Sequence, residues 1–129
     1  MTLIKYNPVF RNKYEPYDGT TSWSPAVDIT ENDNAISLDI DLPGLTKSEF
    51  TLNVKEGVLT LHGERKRLTA EDEKHYQFLE RPYGVFERVF RLPEHIDGEQ
   101  IKASYRNGVL KLELPKKEET KPRTIQITA

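Results

Sequence analysis

The sequence contains no cysteine among its 129 residues. This absence excludes disulfides, thiol nucleophiles and cysteine-ligated metal sites. No apolar run approaches the ~20 residues that a membrane-spanning helix needs, and Met1-Thr2-Leu3-Ile4-Lys5 leads into polar residues without the apolar stretch of a secretory signal. We therefore expect a cytoplasmic protein that has no membrane partner.

An excess of charge of one sign is also missing. The chain has 19 Lys and Arg against 21 Asp and Glu, so 31% of its residues are charged while the net charge is only −2. Mixed charge keeps a surface soluble without creating the positive field that attracts a polyanion. We predict no nucleic-acid partner. The length favours one domain with a modest core.

Motifs for catalysis and cofactor binding are absent as well. The sequence has no glycine-rich phosphate loop, no Gly-x-Gly-x-x-Gly and no Gly-x-Ser-x-Gly. His62, His75 and His95 lack the close spacing of a zinc-binding helix. Most acidic residues fall in turns or on polar strand faces rather than in an acid–base pair. The sequence therefore predicts no enzyme, no catalytic residue, no cofactor and no metal site.

What the chain does contain is a clear β-hairpin centred on Asn107-Gly108. Both residue types tolerate positive φ, so they favour the type I′ turn that matches strand twist. Pro115 ends the second strand because it has no N–H to donate. Apolar residues alternate with polar ones on both sides of the turn: Ile101, Ala103, Tyr105, Leu110, Leu112 and Leu114.

Similar short alternating segments recur from Pro25 onward. They cover residues 27–30, 36–42, 50–55, 58–62 and 85–92, with turn residues between them. Closely spaced short strands of this kind are typical of a sandwich. We predict an all-β chain in which residues 25–115 form an immunoglobulin-like antiparallel β-sandwich, with a flexible N-terminal arm (residues 1–24) and a flexible C-terminal tail (residues 116–129).

The arm is rich in aromatic residues although it shows no helical or strand period. Two interpretations are open: its rings pack onto the sandwich, or they offer a sticky surface to partner or client chains. Disordered segments usually contain few aromatics, so the composition is notable in either case. The five candidates for client binding are Tyr6, Phe10, Tyr14, Tyr17 and Trp23.

A long charged loop separates two of the predicted strands, over residues 63–81. Structureless loops of more than ~12–15 residues are uncommon in compact domains and are usually functional. The loop is either a solvated connection or the carrier of a short strand that pairs with a partner's edge and so forms a dimer. The residues of that strand are His75, Tyr76, Gln77, Phe78, Leu79 and Glu80.

Arg88 shares a strand face with the apolar residues Phe86, Phe90 and Leu92. A guanidinium keeps its charge, so it needs either solvent or an acidic partner. The side chain therefore either extends to water along the strand or forms an ion pair at the dimer interface, with acids of residues 71–80 as candidate partners.

The tail joins a charged segment, residues 116–123, to the apolar triplet Ile125-Gln126-Ile127. In a strand the two isoleucines point to the same side. The triplet is either a last strand of its own domain or a strand added to a neighbour's edge. Burial of two isoleucines is worth ~3–6 kcal/mol before ordering costs. One tail would bind weakly, whereas a dimer with two tails gains from effective concentration.

The hairpin and the strand before it resemble those of the small heat-shock proteins of the α-crystallin family. Ala103-Ser104-Tyr105-Arg106-Asn107-Gly108-Val109-Leu110 matches the family signature A-x-x-x-N-G-V-L. Residues 84–93 resemble the preceding strand, and Arg88 falls on the family's interface arginine.

Three further motifs follow the same order along residues 25–128. Leu42-Pro43-Gly44 and Gly57-Val58-Leu59 fit the family pattern, and Ile125-Gln126-Ile127 matches the I-x-I tail. Several independent motifs in the right order make the resemblance specific.

The resemblance implies that residues 25–115 form an α-crystallin-type β-sandwich flanked by two arms, and it also implies an assembly and an activity. In the bacterial and plant type, a strand of the long loop is exchanged between dimer partners, which suits residues 75–80. The I-x-I tail of one dimer docks in a groove on another, and dimers so build higher oligomers. The groove residues implied here are Phe50, Leu52, Val54, Ile101, Ala103 and Tyr105.

The implied activity is ATP-independent holding of unfolding proteins, so the expected partners are other copies of the chain and non-native clients. A co-chaperone adaptor that has a related sandwich and binds one folded partner is the alternative. A hydrolase built from the scattered histidines is a third and weaker one.

Overall fold

The computed structural model describes residues 21–118 and 122–129, and its body is built almost entirely from strands. The strands are β1 (Thr21–Trp23), β2 (Val27–Glu31), β3 (Ala35–Asp41), β4 (Phe50–Lys55), β5 (Val58–Arg65), β6 (Gly84–Arg91), β7 (Lys102–Arg106) and β8 (Val109–Pro115). A 3-10 turn, Lys47–Glu49, precedes β4, and a one-turn helix α1, Ala70–Glu73, lies in the long loop.

The strands form two four-stranded sheets. One has the order β1-β6-β5-β4 and the other β2-β3-β8-β7. Every pair is antiparallel except β1–β6, which is parallel. The predicted all-β antiparallel sandwich is confirmed.

Two tight turns set the registers of two hairpins. Asn107 and Gly108 have φ values of 55° and 79°, and Glu56 and Gly57 have 50° and 75°. Two successive positive φ values are the mark of a type I′ turn. Because such a two-residue turn fixes strand register, it decides which residues face inward.

The core lies between the inner faces of the two sheets. Alternate residues of β3 and β8 are buried on one side, and alternate residues of β5 and β6 on the other, as expected for a sandwich. The largest fully buried side chains are Phe86, Phe90, Ile36, Leu38, Ile40, Leu42, Leu59, Leu61, Leu110, Leu112, Leu114 and Pro25.

The sandwich extends beyond its predicted limits in two places. β1 lies within residues 1–24, which the sequence assigned to the arm, and pairs with β6. β5 continues to Arg65, although the charged residues after Gly63 predicted loop. Arg65 ends β5 on the buried face of the strand, so its side chain turns inward and is only 7% exposed.

The long loop is mostly irregular in the single chain. Thr69 caps α1, since its hydroxyl accepts from the Asp72 N–H at 3.1 Å. Residues 75–80 contain no strand, and Phe78 is 81% exposed. A strand needs an edge to pair with, so the predicted exchange stays a prediction about the dimer.

Candidate functional site

A groove opens between β4 and β7, the outer strands of the two sheets. Within the described chain each of these strands pairs on one side only. The groove has a volume of about 230 Å³ and is lined by Lys47, Phe50, Leu52, Ala103, Ser104, Tyr105 and Leu110. Its position between two free edges suits an extended segment, because such a segment can pair with an edge and place side chains in the groove.

Two aromatic rings form part of the wall. The rings of Phe50 and Tyr105 meet edge to face, with centroids 5.1 Å apart and an interplanar angle of 70°. The Tyr105 hydroxyl donates a hydrogen bond to the carbonyl of the fully buried Leu42. Tyr105 is therefore held at both ends, so this wall is preformed.

The structure brings four of the six predicted groove residues together, namely Phe50, Leu52, Ala103 and Tyr105. The other two lie outside the lining. Val54 is 42% exposed, and Ile101 packs against the core.

The end of the tail is exposed. Ile125 is 75% and Ile127 93% exposed, and residues 122–129 have no regular secondary structure. The triplet is therefore not a last strand of its own sandwich in this structure. Its two apolar side chains face water, an arrangement that burial on a partner would relieve.

The start of the tail is fixed to the sandwich. The Lys116 N–H donates to the carbonyl of Asn34 at 2.8 Å, and its ammonium pairs with Glu31 at 2.7 Å. The Lys117 N–H donates to the His95 carbonyl at 2.7 Å. The hydrogen bond from Lys116 lowers the pKa of Glu31 below its ordinary value.

Arg88 is half-buried on the inner face of β6. No acidic side chain of the described chain pairs with it; Nη1 donates to the Pro25 carbonyl at 3.4 Å, and the guanidinium lies 5.7 Å from the centroid of the Phe90 ring. Burial lowers the pKa of Arg88. A partly desolvated cation of this kind would gain from a carboxylate brought by another chain.

Arg65 is a buried residue that the sequence did not single out. Nη1 donates to the Pro82 carbonyl at 2.9 Å and Nη2 donates to the Pro43 carbonyl, while no described residue accepts a hydrogen bond from Nε. Burial lowers the pKa of Arg65, with Arg81 adding repulsion. In the sequence Arg65 is one of four consecutive charged residues, a pattern that predicts solvent exposure.

Trp23 lies against the sandwich rather than in a free arm. It is half-buried, and its ring centroid is 4.8 Å from that of Phe86. Of the two interpretations of the arm aromatics, the contacts of Trp23 match packing onto the sandwich, and client binding by this residue stays a prediction. The other four candidates, Tyr6, Phe10, Tyr14 and Tyr17, lie outside the described residues.

Across residues 21–118 and 122–129, no group of three His, Asp or Glu side chains is placed to hold a metal ion, and His62, His75 and His95 do not converge into one. No helix in the same residues has the length and apolar character needed to cross a membrane.

Known proteins similar to this chain share one family. A sequence model described as the Hsp20/alpha crystallin family matches residues 28–128. Small heat shock protein C2 of Rickettsia felis is 36% identical over 114 residues, which cover 87% of this chain and 74% of that protein. The 17.4 kDa class I heat shock protein of Oryza sativa subsp. japonica is 44% identical over 105 residues, covering 79% and 68% respectively.

Solved structures agree with the sequence comparison. A small heat-shock protein from Xylella fastidiosa, described as having a distinct high order structure, is 39% identical with a TM-score of 0.71 over 83% of this chain and 98% of that one. HspA from Xanthomonas axonopodis is 40% identical with a TM-score of 0.67 over 74% and 96%. This chain therefore belongs to the Hsp20/alpha crystallin family, the small heat-shock proteins.

Proposed function

We propose that this protein is an ATP-independent chaperone that binds unfolding proteins and keeps them from aggregating. The observation that carries the proposal is the pairing of an open apolar groove with an exposed apolar triplet on the same chain. The groove can bind an extended apolar segment such as this triplet. Unfolding proteins expose segments of the same kind. Binding and release of such segments requires no catalytic residue.

The tail is the proposed link between subunits. Ile125 and Ile127 would occupy the groove of a neighbouring dimer, beside Phe50 and Tyr105. Two buried isoleucines contribute ~3–6 kcal/mol before ordering costs, so a single contact is weak. Reversible contacts let subunits exchange, and each release frees a groove for a client.

The dimer is proposed to form by strand exchange at β2. Within the described chain β2 pairs only with β3, so its other edge is free. Residues 75–80 of a partner could add there as a strand. Arg88 contacts the Pro25 carbonyl, two residues before β2. A partner loop at this edge would therefore bring the acids of residues 71–80 close to Arg88.

Exposed rings of the long loop favour the same assembly. Phe78 is 81% and Tyr76 49% exposed in the single chain. Large apolar side chains in water usually mark a contact surface. Strand exchange would bury part of this surface.

The activity is tested by heating an aggregation-prone client with and without this protein, in the absence of ATP, and following light scattering. We expect suppression near stoichiometric ratios. No suppression at those ratios would contradict the chaperone proposal and favour an adaptor that binds one folded partner.

The assembly is tested by the double variant Ile125→Ala/Ile127→Ala. We expect the native mass, measured by light scattering, to fall to that of a dimer because the groove loses its occupant. Thr124→Ala/Thr128→Ala is the matched control, since in a strand these residues point away from the isoleucines. An unchanged mass in the isoleucine variant would show that the tail does not link subunits.

A further inference from the structure

The first strand of the sandwich is attached by a short contact. β1 has only three residues and pairs in parallel with β6, matching Thr21 to Val85 and Trp23 to Phe86 with an irregular register between them. It lies at the edge of its sheet. Beyond Phe86, the outer edge of β6 carries no strand within the described chain. β1 thus covers one end of an edge that no other strand of the described residues occupies.

Trp23 occupies a defined place on that edge. Its Nε1 donates to the Gly84 carbonyl at 3.1 Å, its ring lies 4.8 Å from the Phe86 ring, and the Arg65 guanidinium lies 5.1 Å from its centroid. We call the surface formed by Arg65, Gly84 and Phe86 the aromatic slot. It offers an apolar surface, a cation over the ring face and an acceptor for a ring donor.

The slot does not depend on Trp23 for its shape. Arg65 is fixed by the Pro82 and Pro43 carbonyls. Phe86 is fully buried in the core, and Gly84 is held in β6, which pairs with β5 along its length. If β1 left, the slot would remain in place.

β1 is held to the sandwich more weakly than the residues of the aromatic slot are. Trp23 is only half-buried, and three residues of edge pairing supply few main-chain hydrogen bonds. Edge segments with few buried contacts open at much lower cost than the core. β1 is therefore the part of the sandwich that a competing strand can replace most easily.

We propose that β1 is a releasable cover over a second client-binding site, formed by the aromatic slot and the outer edge of β6. Its occupant is an extended segment of a non-native protein that carries an aromatic residue. Main-chain hydrogen bonds to β6 can form with a segment of any sequence, whereas the aromatic slot favours a segment with an aromatic side chain. The proposal rests on the chaperone function above, for which it names a second surface.

One test uses the only tryptophan of the chain as a reporter. The probe is an unfolded polypeptide without tryptophan, reduced and carboxymethylated ribonuclease A, added to the full-length protein. We expect Trp23 emission to shift to longer wavelength and acrylamide quenching to rise, because the client displaces β1. Unchanged emission with bound client would overturn the proposal.

A second test empties the slot with Trp23→Ala in the full chain. A fluorescein-labelled peptide of residues 18–26, which carries the native tryptophan, should bind this variant at least about tenfold tighter than the wild type, or ~1.4 kcal/mol. Val54→Ala is the matched control and should bind the peptide as the wild type does, because Val54 is 42% exposed on β4, at the opposite edge of the same sheet. If Trp23→Ala fails to fold, Trp23→Phe, which loses only the Nε1 hydrogen bond and part of the ring, should give an intermediate affinity.

The unlabelled client must then displace the peptide from Trp23→Ala. Displacement supports the slot as a client site. No displacement, in a protein that still suppresses client aggregation, overturns this inference and leaves the chaperone function standing. Displacement without suppression of aggregation would contradict the chaperone function and keep the slot as a binding site.

Discussion

At Gly63 a single added methyl group should destabilise the sandwich strongly. A Cβ at Gly63 would lie 2.5 Å from the Phe86 ring, 2.6 Å from the Glu49 carbonyl oxygen and 2.8 Å from the Phe50 Cβ. Two of these three atoms belong to the backbone or sit next to it, so rotamer changes cannot move them away. Phe86 has no space to move because it is fully buried. Gly63→Ala must therefore push β4 away from β5.

The expected cost follows from this geometry. Overpacking a well-filled interior costs ~1–3 kcal/mol, and three contacts below 3.0 Å place Gly63→Ala at the upper end of that range. Gly→Ala also restricts the unfolded chain, which stabilises by ~0.4–1 kcal/mol. The net loss is then ~2–2.6 kcal/mol, or roughly 8–20 °C in Tm for a domain near 100 residues.

The assay is urea unfolding followed by circular dichroism of the sheets, with all proteins at one concentration because assembly contributes to apparent stability. Gly98→Ala is the matched control: its Cβ would meet only Val54 Cγ1 at 3.6 Å, an ordinary contact. We expect this control to be neutral or slightly stabilised. Free energies of unfolding for the two variants within ~0.5 kcal/mol of each other would refute the reasoning.

Three further predictions concern a hydrogen bond, an ion pair and the dimer. Tyr105→Phe removes the donor to the buried Leu42 carbonyl and should cost ~1–2 kcal/mol in urea unfolding, whereas an unchanged midpoint would mean that the bond is dispensable. The hydrogen bond from Lys116 lowers the pKa of Glu31 in the folded protein. The ionised carboxylate therefore stabilises the fold at pH values above its unfolded pKa of ~4.3. This stabilisation is lost as the pH falls through the lower pKa of the folded state. Glu31→Gln should therefore weaken the dependence of the urea midpoint on pH in the acid range, and an identical profile would argue against the linkage. Arg88→Gly should raise the dimer Kd measured by analytical ultracentrifugation, while an unaltered Kd would favour a side chain that only extends to solvent.

Local patterns predicted most of the sandwich. The alternation in β3 placed Ile36, Leu38 and Ile40 on the inner face, and they are buried. The pair Asn107-Gly108 predicted its turn from the conformations those residues tolerate. Such features could be read because each depends on residues within a few positions of one another.

The burial of Arg65 and the pairing of β1 could not be predicted from local patterns. The inward course of Arg65 depends on the Pro43 and Pro82 carbonyls, 22 and 17 residues away along the chain. The pairing of β1 depends on β6, with Trp23 bonded to Gly84 across 61 residues. Contacts at such separations leave no local periodicity in the sequence. The charged residues 64–67 therefore predicted a loop, and the irregular residues 1–24 predicted a free arm.

For the candidate site too, local sequence patterns and long-range contacts determined different features. The sequence determined its materials: alternating apolar residues on two strands, an I-x-I triplet at the end of the chain and turns that fix which side chains face inward. The family resemblance implied a shared groove, but only the tertiary structure decided that β4 and β7 are the outer strands of two different sheets and that the Phe50 and Tyr105 rings meet edge to face. The physical reason is that alternation specifies the face of a strand, whereas its neighbours follow from how both sheets bury those faces together.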